Sequence, residues 1–177
     1  MSDTLITIIA IFLAAILMFV FPLLSVSERT DDISQLAVQT ATSEFVNNAR
    51  TTGKITLDEY SAFVQTLSAT GNSYDIEMEV KHLDENIGKK SEWTSKQVIG
   101  ENVYYSVYTT QIEDHLNSET YNNAYAMKSG DVFSVSVKNT NTTISQSLRN
   151  FFYSISGNST ATVAAQSTGM VTGNGNI

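Results

Sequence analysis

The chain has 177 residues, with 18 Asp and Glu against 10 Lys and Arg for a formal charge of −8, and it contains no cysteine. The missing cysteines exclude a disulfide scaffold and any thiolate metal site. The acidic balance and sparse Lys and Arg exclude the nucleic-acid binders, because phosphates demand clustered positive charge.

Leu5 to Leu24, LITIIAIFLAAILMFVFPLL, runs for twenty residues without a charge. As a helix rising 1.5 Å per residue it measures about 30 Å, the hydrocarbon thickness of a bilayer. The segment (residues 1–24) therefore predicts a single membrane span or anchor, followed by about 150 residues, enough for one head domain with a modest core. Asp3 is the only charged side chain before the run, so flanking charges set no clear orientation. A cysteine-free remainder rich in Thr, Asn, Ser and Tyr reads as an extracytoplasmic head. The alternative is a cleaved secretory signal, for which Ser25-Val26-Ser27 offers small residues and Pro22 a breaker upstream. Against it stand the absent basic flank and an apolar run longer than the usual stretch of about 7 to 15 residues.

After Leu24 the sequence turns polar but keeps a helical beat, with Ile33, Leu36, Ala37, Ala41, Phe45 and Ala49 at steps of three and four. This predicts an amphipathic continuation of the same helix over 25–53, capped at Gly53 in the left-handed conformation. Pro22 removes one intrahelical hydrogen bond and is expected to kink or loosen the rod near the membrane boundary. Thr56 and Glu59 form a capping-box pair for a helix over Thr56 to Thr70, with Tyr60, Phe63, Val64 and Leu67 as its apolar stripe.

Ser73 to Leu83 switches to period two, with Tyr74, Ile76, Met78 and Val80 on one face and Asp75, Glu77, Glu79 and Lys81 on the other. That is a half-buried strand, on which His82 is assigned to the polar face beside Lys81. Asp84 to Glu101 reads as an exposed excursion, Asn102 to Thr109 as a strand and Thr110 to Leu116 as a short helix. Asp131 to Lys138 is a strand with Phe133, Val135 and Val137 inward. Thr143 to Tyr153 is a helix and Ser159 to Gln166 the last strand, after which Thr172 to Asn176 is expected to fray. The head therefore spans 54–171 and the flexible tail 172–177. The fold class is α+β, a long N-terminal helix packed on a small antiparallel sheet with further helices on one face.

No motif for catalysis appears: there is no G-x-S-x-G elbow, phosphate-binding loop or dinucleotide glycine pattern. The chain is expected to have no enzymatic activity, no cofactor and no metal. His82 and His115 lie outside any zinc spacing. Glu113-Asp114-His115 and Asp84-Glu85-Asn86 are at most weak oxygen sites for calcium and read more simply as solvated surface. Glu77 and Glu79 imitate a glycosidase pair only superficially, being the wet side of an amphipathic strand. Tyr104, Tyr105, Tyr108, Tyr121 and Tyr125, with Trp93 nearby, are the one aromatic concentration, a candidate contact surface because rigid amphipathic rings suit interfaces. Asn141-Thr142-Thr143 and Asn158-Ser159-Thr160 match the N-glycosylation pattern. In the apolar run, Thr7, Ala10, Ala14 and Ala15 give a small-residue side that permits close helix approach.

The apolar segment Leu5 to Leu24 with Pro22 inside it, its amphipathic continuation to about residue 53 and an α+β head resemble the type IV pilin class of filament subunits and pseudopilins. More narrowly, they resemble the TadE-like proteins of tight-adherence pilus machinery. The resemblance implies a membrane-anchored structural subunit that partners with copies of itself, with other pilin-like subunits and with pilus or secretion assembly machinery. It also implies a glutamate at the fifth mature residue. If Met1 is the first mature residue, Leu5 stands there, and Asp3 is the nearby carboxylate that would replace the glutamate in docking. The other reading is a single-span extracytoplasmic binding or accessory domain of a secretion or conjugation machine.

Overall fold

Apolar run and polar continuation form one helical rod in a computed structural model of the chain, which describes residues 2–84, 104–141, 147 and 164–175. The rod comprises α1 (Ser2–Ala15), a π-helical turn (Ile16–Val20) and α2 (Phe21–Thr52). Pro22 has no N–H, and its ring crowds the carbonyl four residues back, at Met18. The wide turn, one residue longer than an α-turn, opens that space. The loosening expected at Pro22 therefore falls one turn earlier. At its far end α2 stops where Gly53 adopts φ 75° and donates its N–H to the Ala49 carbonyl at 2.9 Å.

The head begins with β1 (Lys54–Thr56) and α3 (Leu57–Ser68). Thr56 accepts from the Glu59 N–H at 3.3 Å while Glu59 accepts from the Thr56 N–H at 3.1 Å, closing the predicted capping box. Then follow β2 (Tyr74–Leu83), β3 (Tyr104–Tyr108), α4 (Thr109–Leu116), a short 3₁₀ turn (Glu119–Tyr121), β4 (Ala124–Ala126), β5 (Val132–Asn139) and β6 (Ala164–Met170). Four strands pair antiparallel in the order β3-β2-β5-β6, and β1 pairs with β4 in a separate two-stranded ladder. The class is α+β, as the patterning predicts. The last strand continues through Gly169 to Met170, beyond the expected Gln166. The excursion after Asp84, Trp93, the helix over Thr143 to Tyr153 apart from residue 147, and the second glycosylation sequence fall outside the described residues.

One core joins these elements. Met78, Val80, Phe133, Val135 and Val137 line the inner sheet face, all at most 1% exposed. Against them pack Val38, Phe45 and Val46 of α2, Phe63 and Leu67 of α3, and Ile112 and Leu116 of α4. Phe45 stacks on Phe63 at 4.5 Å between ring centroids and meets Phe133 edge-on at 5.9 Å, so three elements share one aromatic contact. On the opposite face Glu77 pairs with Lys138 at 2.9 Å, and Glu79 accepts from Ser106 at 2.8 Å. These carboxylates are engaged as surface ion pairs and hydrogen bonds.

Two corrections follow from the packing. The head covers Ser34, Val38, Ala41, Thr42, Phe45, Val46 and Ala49 of α2, whereas Ile33 is 61% and Leu36 65% exposed, with Ala37 also outside. The periodicity mixed residues from two sides of the helix into one stripe. The tail also does not fray at Thr172: Thr172 and Gly173 donate to the Arg50 carbonyl at 2.9 and 3.1 Å, and Gly175 donates to the Met127 carbonyl at 2.9 Å. This strap lies in the angle between the end of α2 and the β1–β4 ladder.

Candidate functional site

The surface with the largest unexplained apolar area is the rod itself. Its first half is exposed all round, with Leu5 61%, Ile8 63%, Phe12 70% and Phe19 70% accessible, and it is long and apolar enough to cross a membrane. Exposed side chains of this kind demand lipid or protein cover. Asp3, Thr7, Ala10, Ala14, Ala15 and Pro22 are all exposed along it. The Thr7 hydroxyl donates to the Asp3 carbonyl at 2.8 Å, the usual way a helix absorbs a threonine in apolar surroundings. Thr7, Ala10 and Ala14 share one side at roughly 100° per residue, and Ala15 lies off it.

Among the aromatics, Tyr104, Tyr105 and Tyr108 on β3 are 38%, 56% and 59% exposed, and Tyr121 is 43% exposed. Tyr125 is buried at 6%, so it belongs to the core rather than to a contact surface. His82 is also inside. Its side chain is only 14% exposed, because the period-two face of Tyr74, Ile76, Met78 and Val80 simply continues to residue 82. The polar-face assignment is thereby corrected, and the alternation already contained the signal.

Around His82 the fold builds a closed polar network. Nδ1 lies 2.7 Å from Asp131 Oδ2, and Nε2 lies 2.6 Å from the Tyr125 hydroxyl. Asp131 also accepts the Leu83 N–H at 2.9 Å on Oδ1 and the Lys128 N–H at 2.8 Å on Oδ2. With Asp131 ionised and Tyr125 neutral, His82 fits as the tautomer that donates from Nδ1 and accepts at Nε2. Burial, then the neighbouring Tyr105 and the Asp131 charge, push the Tyr125 phenol above its ordinary range. Every polar atom of the trio is spent internally, which suits a fastener between β2, β4 and the turn before β5.

Nothing in the sequence singled out Asp131, which reads as the first residue of the strand Asp131 to Lys138; the strand itself starts at Val132. Rings continue outward from the network. Tyr105 lies 5.1 Å from His82, Tyr125 meets His115 at 5.2 Å, and His115 stacks on Tyr121 at 3.9 Å. Glu113 of the acidic cluster accepts from Tyr60 at 2.8 Å, tying α4 to α3. Among the described residues no three His, Asp or Glu side chains gather to hold a metal ion.

Tyr60 and Tyr125 both hold their phenolic protons more tightly in the fold, by burial first and then, for Tyr60, by the bond to Glu113. Unfolded tyrosines ionise near pH 10, so above that pH the folded state binds more protons and stability falls as pH rises. An alkaline titration followed at the tyrosinate absorbance is expected to show two late phenols that ionise together with unfolding. The double variant Tyr60→Phe, Tyr125→Phe should lose that late step.

No family model, curated protein or solved structure matches this chain.

Proposed function

We propose that this chain is a membrane-anchored, pilin-like structural subunit, with no enzymatic activity, whose rod packs against copies of itself or related subunits while the head faces the medium. The observation that carries the reading is the two-part rod. One helix joins an apolar half, exposed throughout, to a half whose head covers only one side. A simple anchor needs nothing beyond Leu24. Here the same helix runs on to Thr52 and is welded into the core through Phe45 and the strap, so force or packing on the rod is transmitted to the head. The non-enzymatic part is supported by the His82 trio, a largely buried polar cluster whose atoms are engaged with each other and with the Leu83 and Lys128 N–H groups.

Immunogold electron microscopy of producing cells tests it. Filaments or surface assemblies labelled for this chain are expected, and label confined to dispersed membrane monomers would remove the subunit reading in favour of an accessory domain on a single span.

A further inference from the structure

Val26, Ile33 and Leu36 are 68%, 61% and 65% exposed, on the side of α2 that the head leaves bare. At 100° per residue they point roughly 150° away from the stripe buried under the head. Lipid does not reach the upper two. Ile33 and Leu36 lie roughly 13 and 18 Å beyond Leu24 along the axis, past a headgroup layer of about 5 to 8 Å. The head does not reach them either, since it sits across the helix on β5 and β6.

The π turn adds a second relation. One extra residue in a turn rotates all that follows by about 100° relative to a regular helix. With that rotation counted, the bare side bearing Val26, Ile33 and Leu36 falls in line with Thr7, Ala10 and Ala14 below it. Without it the two would diverge by about a quarter turn. The rod thus presents one continuous seam, small below and larger above.

Charge identifies what meets the seam. Arg29 is exposed within it and is the only cation of the rod before Arg50. Neither Arg29 nor Asp32, on the seam's flank, has a partner among the described residues. A cation on the seam and a carboxylate beside it make the surface complementary to itself when two rods lie side by side.

Resting on the subunit reading above, we infer that this seam is the contact between copies of the chain: Val26, Ile33 and Leu36 pack on the neighbouring rod, and Arg29 pairs with Asp32 of that neighbour.

The chain has no cysteine, so single-cysteine variants test this cleanly in the full-length protein in native membranes. Under a mild oxidant, Ile33→Cys and Leu36→Cys are expected to give at least about ten times more disulfide-linked homodimer than Gln35→Cys, which points to the far side. Adding Arg29→Asp, or Asp32→Arg, to Ile33→Cys should reduce the dimer several-fold, and the two reversals together should restore it. Equal cross-linking at Gln35, or failure of the double reversal to rescue, overturns the inference. So does a cross-link to a protein of a different mass. If labelled filaments form while Ile33→Cys and Leu36→Cys stay monomeric, the seam is wrong and the subunit reading survives. Monomers at every position without filaments would remove both.

Discussion

Replacing Asp131 with alanine is expected to lower the melting temperature of the full chain in detergent by roughly 10 °C. The carboxylate is 2% exposed and accepts from two backbone N–H groups and from the His82 ring. Removing it leaves three part-buried donors without their acceptor, each costing at most about 1 to 3 kcal/mol. A total near 4 kcal/mol converts to that shift at about 2 to 4 °C per kcal/mol for a chain of this size. Asp131→Asn keeps one acceptor oxygen and should fall between the two. Tyr125→Phe, which removes a single hydroxyl partner from Nε2, should cost much less. If the alanine variant melted within a degree or two of the parent, the network would not be what joins β2 to the β4–β5 turn.

Gly173→Val is expected to have an effect of similar size by a different route. A Cβ on Gly173 would overlap the Thr51 carbonyl oxygen and stand 2.8 Å from the Gly53 nitrogen, both rigid backbone. The strap must then lift from the end of α2, losing the two bonds to the Arg50 carbonyl and the Gly175 bond to Met127. Overpacking of this kind costs about 1 to 3 kcal/mol before the lost hydrogen bonds are counted. Hydrogen exchange at Thr172 and at Met127, which donates to the Gly53 carbonyl at 2.7 Å, should rise locally by an order of magnitude or more. Unchanged exchange at both amides would show that the strap is ornamental.

How far the fold was readable follows from the length scale of each signal. The rod and the alternation of β2 and β5 each repeat a pattern over eight or more residues, the capping box of α3 is a fixed local spacing from Thr56 to Glu59, and the structure has them where these signals put them. β1 and β4 have three residues each, too few for any period to register, and they exist because Ile55 and Tyr125 pair across the ladder over the core. The Gly and Asn content of the strap predicts a loose tail. Gly173 is there because backbone meets backbone, a requirement that composition does not reveal.

The candidate surface was half legible. Thr7, Ala10 and Ala14 are visible as a small-residue side, whereas Ile33 and Leu36 fall in one apolar periodicity with Ala41, Phe45 and Ala49. A helix apolar on two sides cannot be divided between partners until one partner's position is known, and the head's position on Val38, Phe45 and Ala49 supplies it. The Asp131 network was invisible for a related reason, since His82 lies 43 residues from Tyr125 and 49 from Asp131 in sequence.

Whether the apolar half of the rod stays on the working protein decides most of the account, and intact mass spectrometry of the native product purified from membranes measures it directly. The expected species retains Leu5 to Leu24 and partitions with the membrane or with sheared surface assemblies. A freely soluble native species beginning near Glu28 would contradict the account, because both the anchor and the lower part of the seam would be gone.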